Sequence, residues 1–501
     1  MKKIIIAISA LAVLLMSSCT KDFVTVQHNS AEPMDAYFID ESRMYESLVA
    51  AYHPLQWFDY AFGAYNDLRL VSDIMADDIY CGGSNEGDQP TLVYTHYYKA
   101  TAIDHCGGIW TTAYSGVNRS CVVLEYVDGV PGMSEATKQL YKAEATILKA
   151  WYYTVLWKFW GNIPYYDVNL TAPYTAPQLT ADEVYNNIVT KIEEALKMNV
   201  LPTTPSAKGR ITKDMAYMLY AEVVMYQNDE SRYGTALNYM KEIIESGRYS
   251  LVSDFAGMWE ETGEWGTESI WEINYTSEGG VRSWGNSIAS GGSVLPVLCG
   301  IPGGTDRFVD GWGFGPVAAH AYEMYKDGDQ RRDGGIYNHL AVAGEYGEGI
   351  NGGRWQSTGY FNNKIIARKG GDHGQLADNN LNYGTNYRVY RYAETLLNAA
   401  ELAVLTGGDG SAYLKQVRDR AGASYDGNDR DSILEERRRE FLGEGKRYWD
   451  LVRSGKAAEV LKAANHQYRE NDWTPNKKYW PIPQSEIDKD PNLKQNNYSQ
   501  Q

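Results

Sequence analysis

Arg391-Tyr392-Ala393-Glu394-Thr395-Leu396-Leu397-Asn398-Ala399-Ala400-Glu401 is the stretch that decides the fold class. Tyr390, Ala393, Leu396, Leu397, Ala400 and Ala403 recur at steps of three and four, so they share one face of an α-helix that Gly407-Gly408 ends. Charges sit among these apolar residues. Glu394 and Glu401 lie seven apart and share a helix face, and Arg391 stands one turn before Glu394, where the two can pair. A charge packed between helices needs a partner, because an unpaired buried charge costs several kcal/mol. These residues are therefore expected to fix helix register, not to perform chemistry.

Working outward, the same texture returns on both sides. Leu140, Ala143, Ile147, Leu148, Trp151, Val155 and Phe159 predict a helix over Glu135 to Trp160, stopped by Gly161-Asn162-Ile163-Pro164. Trp151, Trp157 and Trp160 follow this spacing and read as scaffold. Thr180 with Glu183 forms a capping box ahead of a Val184, Ile188, Ile192, Leu196 stripe. Thr212 opens the next helix, and Tyr233 to Ser246 forms its partner. Helical texture is expected again from Tyr387, then over Ala412 to Arg420, then from Ile433 to Val452 behind an Asp431 cap. Lys478-Tyr479-Trp480-Pro481-Ile482-Pro483 is too rich in proline for helix or inner strand.

Between residues 251 and 386 the periodicity fades and glycine pairs accumulate, among them Gly291-Gly292, Gly303-Gly304 and Gly352-Gly353. Glu268 to Tyr275 alternates and reads as a strand. So long a stretch with little regular structure is expected to carry function on a rigid scaffold.

The chain has 501 residues and a net charge of −17, which opposes a phosphate backbone and excludes nucleic acid as a partner. Its 40 Tyr and 14 Trp against 10 Phe suit surfaces that offer flat apolar faces with polar edges. No nucleophile elbow, zinc helix, P-loop or dinucleotide fingerprint is present, so no enzyme is expected. Asp77-Asp78 and Glu260-Glu261 are adjacent acids that read as solvated or capping, although glycosidases do use two acids distant in sequence. The eight His are scattered, and His96 with His105 lacks metal-ligand spacing. No metal site and no cofactor is expected, while a bound ion such as calcium stays open. Cys81, Cys106, Cys121 and Cys299 match no zinc pattern, leaving disulfides or buried thiols.

At the N-terminus, Lys2-Lys3, an apolar run from Ile4 to Met16 and Ser17-Ser18 lead directly to Cys19. Thirteen apolar residues are too few to span a bilayer, so residues 1–18 are expected to be a removed export signal. A Cys at the cleavage point resembles the bacterial lipobox and marks Cys19 for lipidation. Thr20-Lys21-Asp22-Phe23 resembles an acidic tag that sends such lipoproteins outward in Bacteroidetes.

Taken together, an ordered set of motifs resembles the SusD/RagB family. It runs through Leu148-Lys149-Ala150-Trp151-Tyr152-Tyr153, Trp160-Gly161-Asn162-Ile163-Pro164, Gly209-Arg210-Ile211-Thr212-Lys213, Arg391 to Glu401, Val417 to Gly422, Glu436 to Leu451 and Trp480-Pro481-Ile482-Pro483. The resemblance implies a mainly α fold. In it, a tetratricopeptide-like scaffold of helical pairs carries a large loop-rich insertion with short strands, all in one compact SusD-like domain. The expected divisions are an N-terminal helical part over 19–250, a ligand-binding region over 251–386 and a C-terminal helical part over 387–501. The implied partners are a glycan, the outer membrane through the lipid anchor, and a SusC-type TonB-dependent transporter that receives the cargo at the cell surface. Peptide cargo on the same scaffold and a surface glycoside hydrolase are the alternatives. Trp284 and Trp312 sit in loops about where the family places its stacking aromatics, with Tyr97, Tyr98 and Trp265 as further candidates. Arg282, Asn286 and Asp310 are the candidate partners for sugar hydroxyls.

Overall fold

A computed structural model describes residues 34–278, 281–371 and 378–498; the expected export signal and Cys19 lie outside the described residues. Helices dominate. The longer ones are α1 (Glu41–Tyr52), α2 (Leu68–Met75), α3 (Gly108–Tyr126), α4 (Glu135–Trp160), α5 (Ala181–Lys197), α6 (Lys213–Gln227) and α7 (Tyr233–Glu245). After the insertion come α8 (Tyr392–Leu405), α9 (Ser411–Ala421), α10 (Arg430–Phe441) and α11 (Arg447–Arg453). From α3 to α7 each helix packs on the next, and α7 then packs on α8 across the insertion, giving the layered helical-pair scaffold.

Local chemistry accounts for these boundaries. Thr180 and Glu183 close the capping box of α5, and the Thr212 hydroxyl accepts the Met215 amide at the start of α6. Gly116 on α3 lies against Tyr152 on α4, where a Cβ would stand 2.3 Å from the ring. The missing side chain lets the Tyr152 hydroxyl reach the Ala51 carbonyl on α1 at 2.8 Å. Trp151, Trp157 and Trp160 are buried, and the Trp160 indole donates to the Pro481 carbonyl of the proline-rich tail at 2.9 Å. All four described cysteines are buried free thiols.

Two of the expected helices need correction. Tyr387–Arg391 is a strand (β4) paired antiparallel with Ser269–Ile273 (β3), and α8 begins only at Tyr392. The cause is tertiary: β3 offers an unpaired edge, and its ladder overrides a helical pattern. Arg391 thus ends a strand and does not pair with Glu394, which meets Lys446 at 3.0 Å and Arg437 at 3.5 Å instead. The helix expected over Ile433 to Val452 is also two helices. Asp429, not Asp431, caps α10, and Leu442-Gly443-Glu444-Gly445 breaks it from α11. Gly443 and Gly445 have φ of 77° and 75°, and a Cβ on Gly443 would lie 2.2 Å from Asn362.

The break brings Glu444 to a buried ion web. Arg391 reaches Glu268 at 2.7 Å, Glu440 at 2.6 Å and Glu444 at 2.8 Å. Arg331 meets Glu436 at 2.6 Å and Glu440 at 3.1 Å, Lys364 meets Glu444 at 2.6 Å, and Arg420 pairs with Glu268 and Glu440. Asp77 and Asp78, read from the sequence as solvated or capping, are buried partners of Arg447 and Arg438.

Burial would raise the Glu440 carboxyl, but the guanidinium groups of Arg420, Arg391 and Arg331 overcome it and hold Glu440 well below its ordinary range. Likewise burial opposes, and Arg437 with Arg453 prevails in, lowering Asp450 to about 2. Groups held low contribute fully above their unfolded values near 4 and lose that contribution as pH falls through the folded ones. The urea midpoint should therefore hold down to about pH 5 and fall steeply towards pH 2. Glu440→Ala, which removes the carboxylate shared by three buried guanidinium groups, should cost about 3–5 kcal/mol in urea unfolding at pH 7. A loss below about 1 kcal/mol would show that the web is solvated.

Candidate functional site

The site begins with a near-palindrome, Tyr60-Ala61-Phe62-Gly63-Ala64-Tyr65. Strands β1 (Tyr60–Ala61) and β2 (Ala64–Tyr65) precede β3 and β4 in the chain and pair antiparallel, Tyr60 opposite Tyr65. Phe62 and Gly63 join them with φ of 55° and 79°, the two-residue loop whose twist matches the strands. Asn66 braces the turn by donating to the Ala61 and Ala64 carbonyls at 3.2 and 2.8 Å. The two tyrosine rings lie 5.2 Å apart.

A second turn delivers Trp284. The Asn286 amide donates to the Ser283 carbonyl at 2.9 Å, placing Trp284-Gly285 at the tip. Arg282, one of the sequence candidates for hydroxyl binding, is not at the rim. It is fully buried, with Nη1 2.9 Å from Asp59 Oδ1, Nε 3.1 Å from the Ser287 carbonyl, and further bonds to the Gly292 and Tyr60 carbonyls. Asp59 also accepts the Val294 amide at 2.8 Å. Burial pushes the Asp59 carboxyl up, against the downward pull of Arg282. The Arg282–Asp59 pair therefore rivets the Trp284 turn to the Tyr60 hairpin.

Trp312 arrives on a third segment. Its amide donates to the Val297 carbonyl at 2.9 Å and the Gly313 amide to Gly300 at 3.0 Å. The backbones cross so closely that a Cβ on Gly311 would stand 2.2 Å from Gly300 Cα.

Four rings meet. Trp284 and Trp312 stack with centroids 6.2 Å apart at 25°, Tyr60 stands edge-on to Trp284 at 5.2 Å, and Tyr65 meets Trp312 at 6.1 Å. Trp284 is 42% exposed, Trp312 and Tyr65 are half-buried, and Tyr60 is buried beneath. The result is an aromatic shelf open to water. Asn286 and Asp310 are both exposed, and Asp310 accepts the Gly303 amide at 2.7 Å. A flat apolar shelf with amide and carboxylate groups at hand can cover the C–H face of a sugar ring and meet its hydroxyls.

Other candidates lie elsewhere. Tyr97 and Tyr98 are buried, because they follow a short helix, Pro90–His96, that packs on α2. The Tyr98 hydroxyl donates to the Met75 carbonyl and its ring lies 4.6 Å from Arg469, so neither face is free. Trp265 is half-buried, with its indole donating to Asn274 at 2.8 Å, and it makes no ring contact with the shelf. Tyr60 and Tyr65 escaped the sequence reading. Their signal was the symmetry about Phe62-Gly63, weak because Phe is unusual at positive φ.

A groove of about 440 Å³ lies apart, between α1 and the Lys208–Arg210 turn. Its open ring, Tyr45, is already engaged by Arg210 and Tyr141. Among the described residues no group of three or more His, Cys, Asp or Glu is placed to hold a metal ion, and no helix is long and apolar enough to cross a membrane.

Comparison with known proteins adds two family matches. The SusD family model matches residues 322–498, and a model described as starch-binding associating with outer membrane matches residues 64–225. Surface glycan-binding protein A from Bacteroides thetaiotaomicron, solved in complex with laminarihexaose, superposes with a TM-score of 0.85. It is 45% identical, over 92% of this chain and 100% of that one. A laminarin-binding SusD-like protein is 28% identical with a TM-score of 0.81, covering 92% of this chain and 100% of that one. SusD-like protein P38 of Formosa agariphila is 25% identical, over 90% of each chain.

The rivet is testable without a ligand. Asp59→Ala should strand the Arg282 charge and cost about 3–5 kcal/mol in urea unfolding. It should also free the Trp284 turn, read as increased acrylamide quenching of tryptophan fluorescence. Unchanged quenching would mean that the turn holds its place without the pair.

Proposed function

The chain belongs to the SusD family, and from that premise we propose that it captures a laminarin-type glucan on the Trp284–Trp312 shelf. The open stack of the two indoles carries the reading. Each sugar–aromatic contact contributes about 1 kcal/mol, taking aromatic pairs as the guide. Two or three such contacts yield modest affinity, which suits a protein that must release its cargo. The relatives that bind laminarihexaose or laminarin point to a glucan with the same linkage as the ligand.

The reading is binding without catalysis. Asp77 and Asp78 are occupied by Arg447 and Arg438, and Glu260 by Arg307 and Arg368, which leaves these acids unsuited to proton transfer on a substrate. The family resemblance extends the proposal to a lipid anchor on Cys19, a position on the outer face of the outer membrane, and delivery of the glycan to a TonB-dependent transporter.

Affinity electrophoresis through laminarin should retard the chain. Trp284→Ala should weaken binding about tenfold or more, the equivalent of about 1.4 kcal/mol. The melting temperature should stay unchanged, since Trp284 is the exposed member of the stack. Normal retardation of this variant would remove the shelf from the reading, and release of reducing ends from laminarin would reinstate a hydrolase.

A further inference from the structure

Past Trp312 the surface opens into a cleft of about 510 Å³ whose walls include Ser84, Pro302, Gly303, Asn351 and Arg354. The cleft starts where the shelf stops. Gly313, the next residue after Trp312, has φ of 74°, and a Cβ there would stand 2.9 Å from Pro302 Cγ and 3.5 Å from Arg354 Cγ and Cδ. The aliphatic stem of Arg354 thus lies across the backbone that carries Trp312. Ser84, on another wall, donates through its amide and hydroxyl to Asp88 at 2.9 and 2.8 Å, and Asp88 is close enough to Tyr65 to perturb its phenol. Cleft and shelf therefore adjoin along the Trp312 segment.

Arg354 differs from the rest of its kind. Among the described residues, the guanidinium of every other arginine donates a hydrogen bond or forms an ion pair, even Arg469, which takes the carbonyls of Ile74, Ala76 and His96. Arg354 is half-buried, and its bond is through the backbone amide, to Ser357 Oγ at 2.7 Å. In a chain with 64 acidic against 47 basic side chains, a half-buried arginine whose guanidinium meets no protein acceptor is conspicuous. Its five donors in a planar fork match two neighbouring oxygens.

We propose that Arg354 is a binding residue of a second glycan subsite, taking adjacent hydroxyl oxygens of the sugar units that run on past Trp312. The inference rests on the shelf reading and deepens it: the shelf holds one part of the chain and the Arg354 cleft the next. The oxygens belong to a neutral glycan, because a net charge of −17 opposes a polyanion.

Calorimetry with laminari-oligosaccharides of increasing length tests this on the full chain, wild type against Arg354→Ala and Arg354→Lys. Wild-type affinity should rise from the disaccharide to the hexasaccharide. Arg354→Ala should weaken the hexasaccharide roughly tenfold, the scale of hydrogen bonds to a charged group, while the disaccharide stays within about twofold. Retained disaccharide binding also reports a folded shelf. Arg354→Lys should recover only part of the loss, since a point charge cannot match two oxygens at once. Equal loss at both lengths, no loss at the hexasaccharide, or tighter binding of an oligouronate than of the neutral chain would each overturn the second subsite. The shelf reading fails differently: Trp284→Ala would then leave every length unaffected. No wild-type binding at any length would overturn both.

Discussion

A buried charge must be neutralised by something that folding brings to it, and in this protein the central charge is Arg391. It stands where β4 becomes α8, and its guanidinium is shared by Glu268 before β3, Glu440 in α10 and Glu444 in the break after α10. The insertion, the returning helices and the C-terminal pair are thereby tied at one point. Glu268 also accepts the Val252 amide at 2.9 Å, where the insertion leaves the helical scaffold. Such a web adds little net stability over a well-packed apolar equivalent, because desolvation offsets its attraction. Its contribution is register: a slip of β3, β4, α8 or α10 would part these buried charges from their partners.

The same device recurs on a smaller scale at the shelf. Asp59 and Arg282 are both fully buried, and they join a hairpin near residue 60 to a turn near residue 284. Trp312 is positioned differently, by two glycine backbones in contact at Gly300 and Gly311. Three segments thus present four rings as one surface, each held by a buried ion pair or a close backbone contact. That arrangement keeps Trp284 exposed while its turn is tied to a buried ion pair, and a site ordered before binding has less entropy to lose.

Loops carried by a helical scaffold explain how glycine-rich sequence can bind a polymer. Helices from α3 to α8 supply a stiff base, and the insertion spends its glycines on close backbone approaches and positive φ at Gly303, Gly304, Gly313 and Gly315. Trp284 stays open to water, so the shelf is a face and not a closed pocket. A polymer can lie across such a face with its ends free, and the cleft beside Trp312 continues the same surface.

Helix existence and several helix starts were readable from the sequence alone, because capping and apolar periodicity are local: Thr180 with Glu183, Thr212, and the α4 stripe need no distant partner. Trp284 and Trp312 were readable as loop aromatics in a glycine-rich stretch. What tertiary structure alone decided was everything that depends on a remote partner. Tyr387–Arg391 became a strand because β3 was there to pair with it, and Arg282 left the rim because Asp59 was buried beside it. Tyr98 was lost to the core because Met75 offered its carbonyl, while Tyr60 and Tyr65 joined the shelf because two distant segments brought Trp284 to the one and Trp312 to the other. Periodicity and capping act over a few residues, whereas charge neutralisation and ring stacking act between whatever the fold brings into contact.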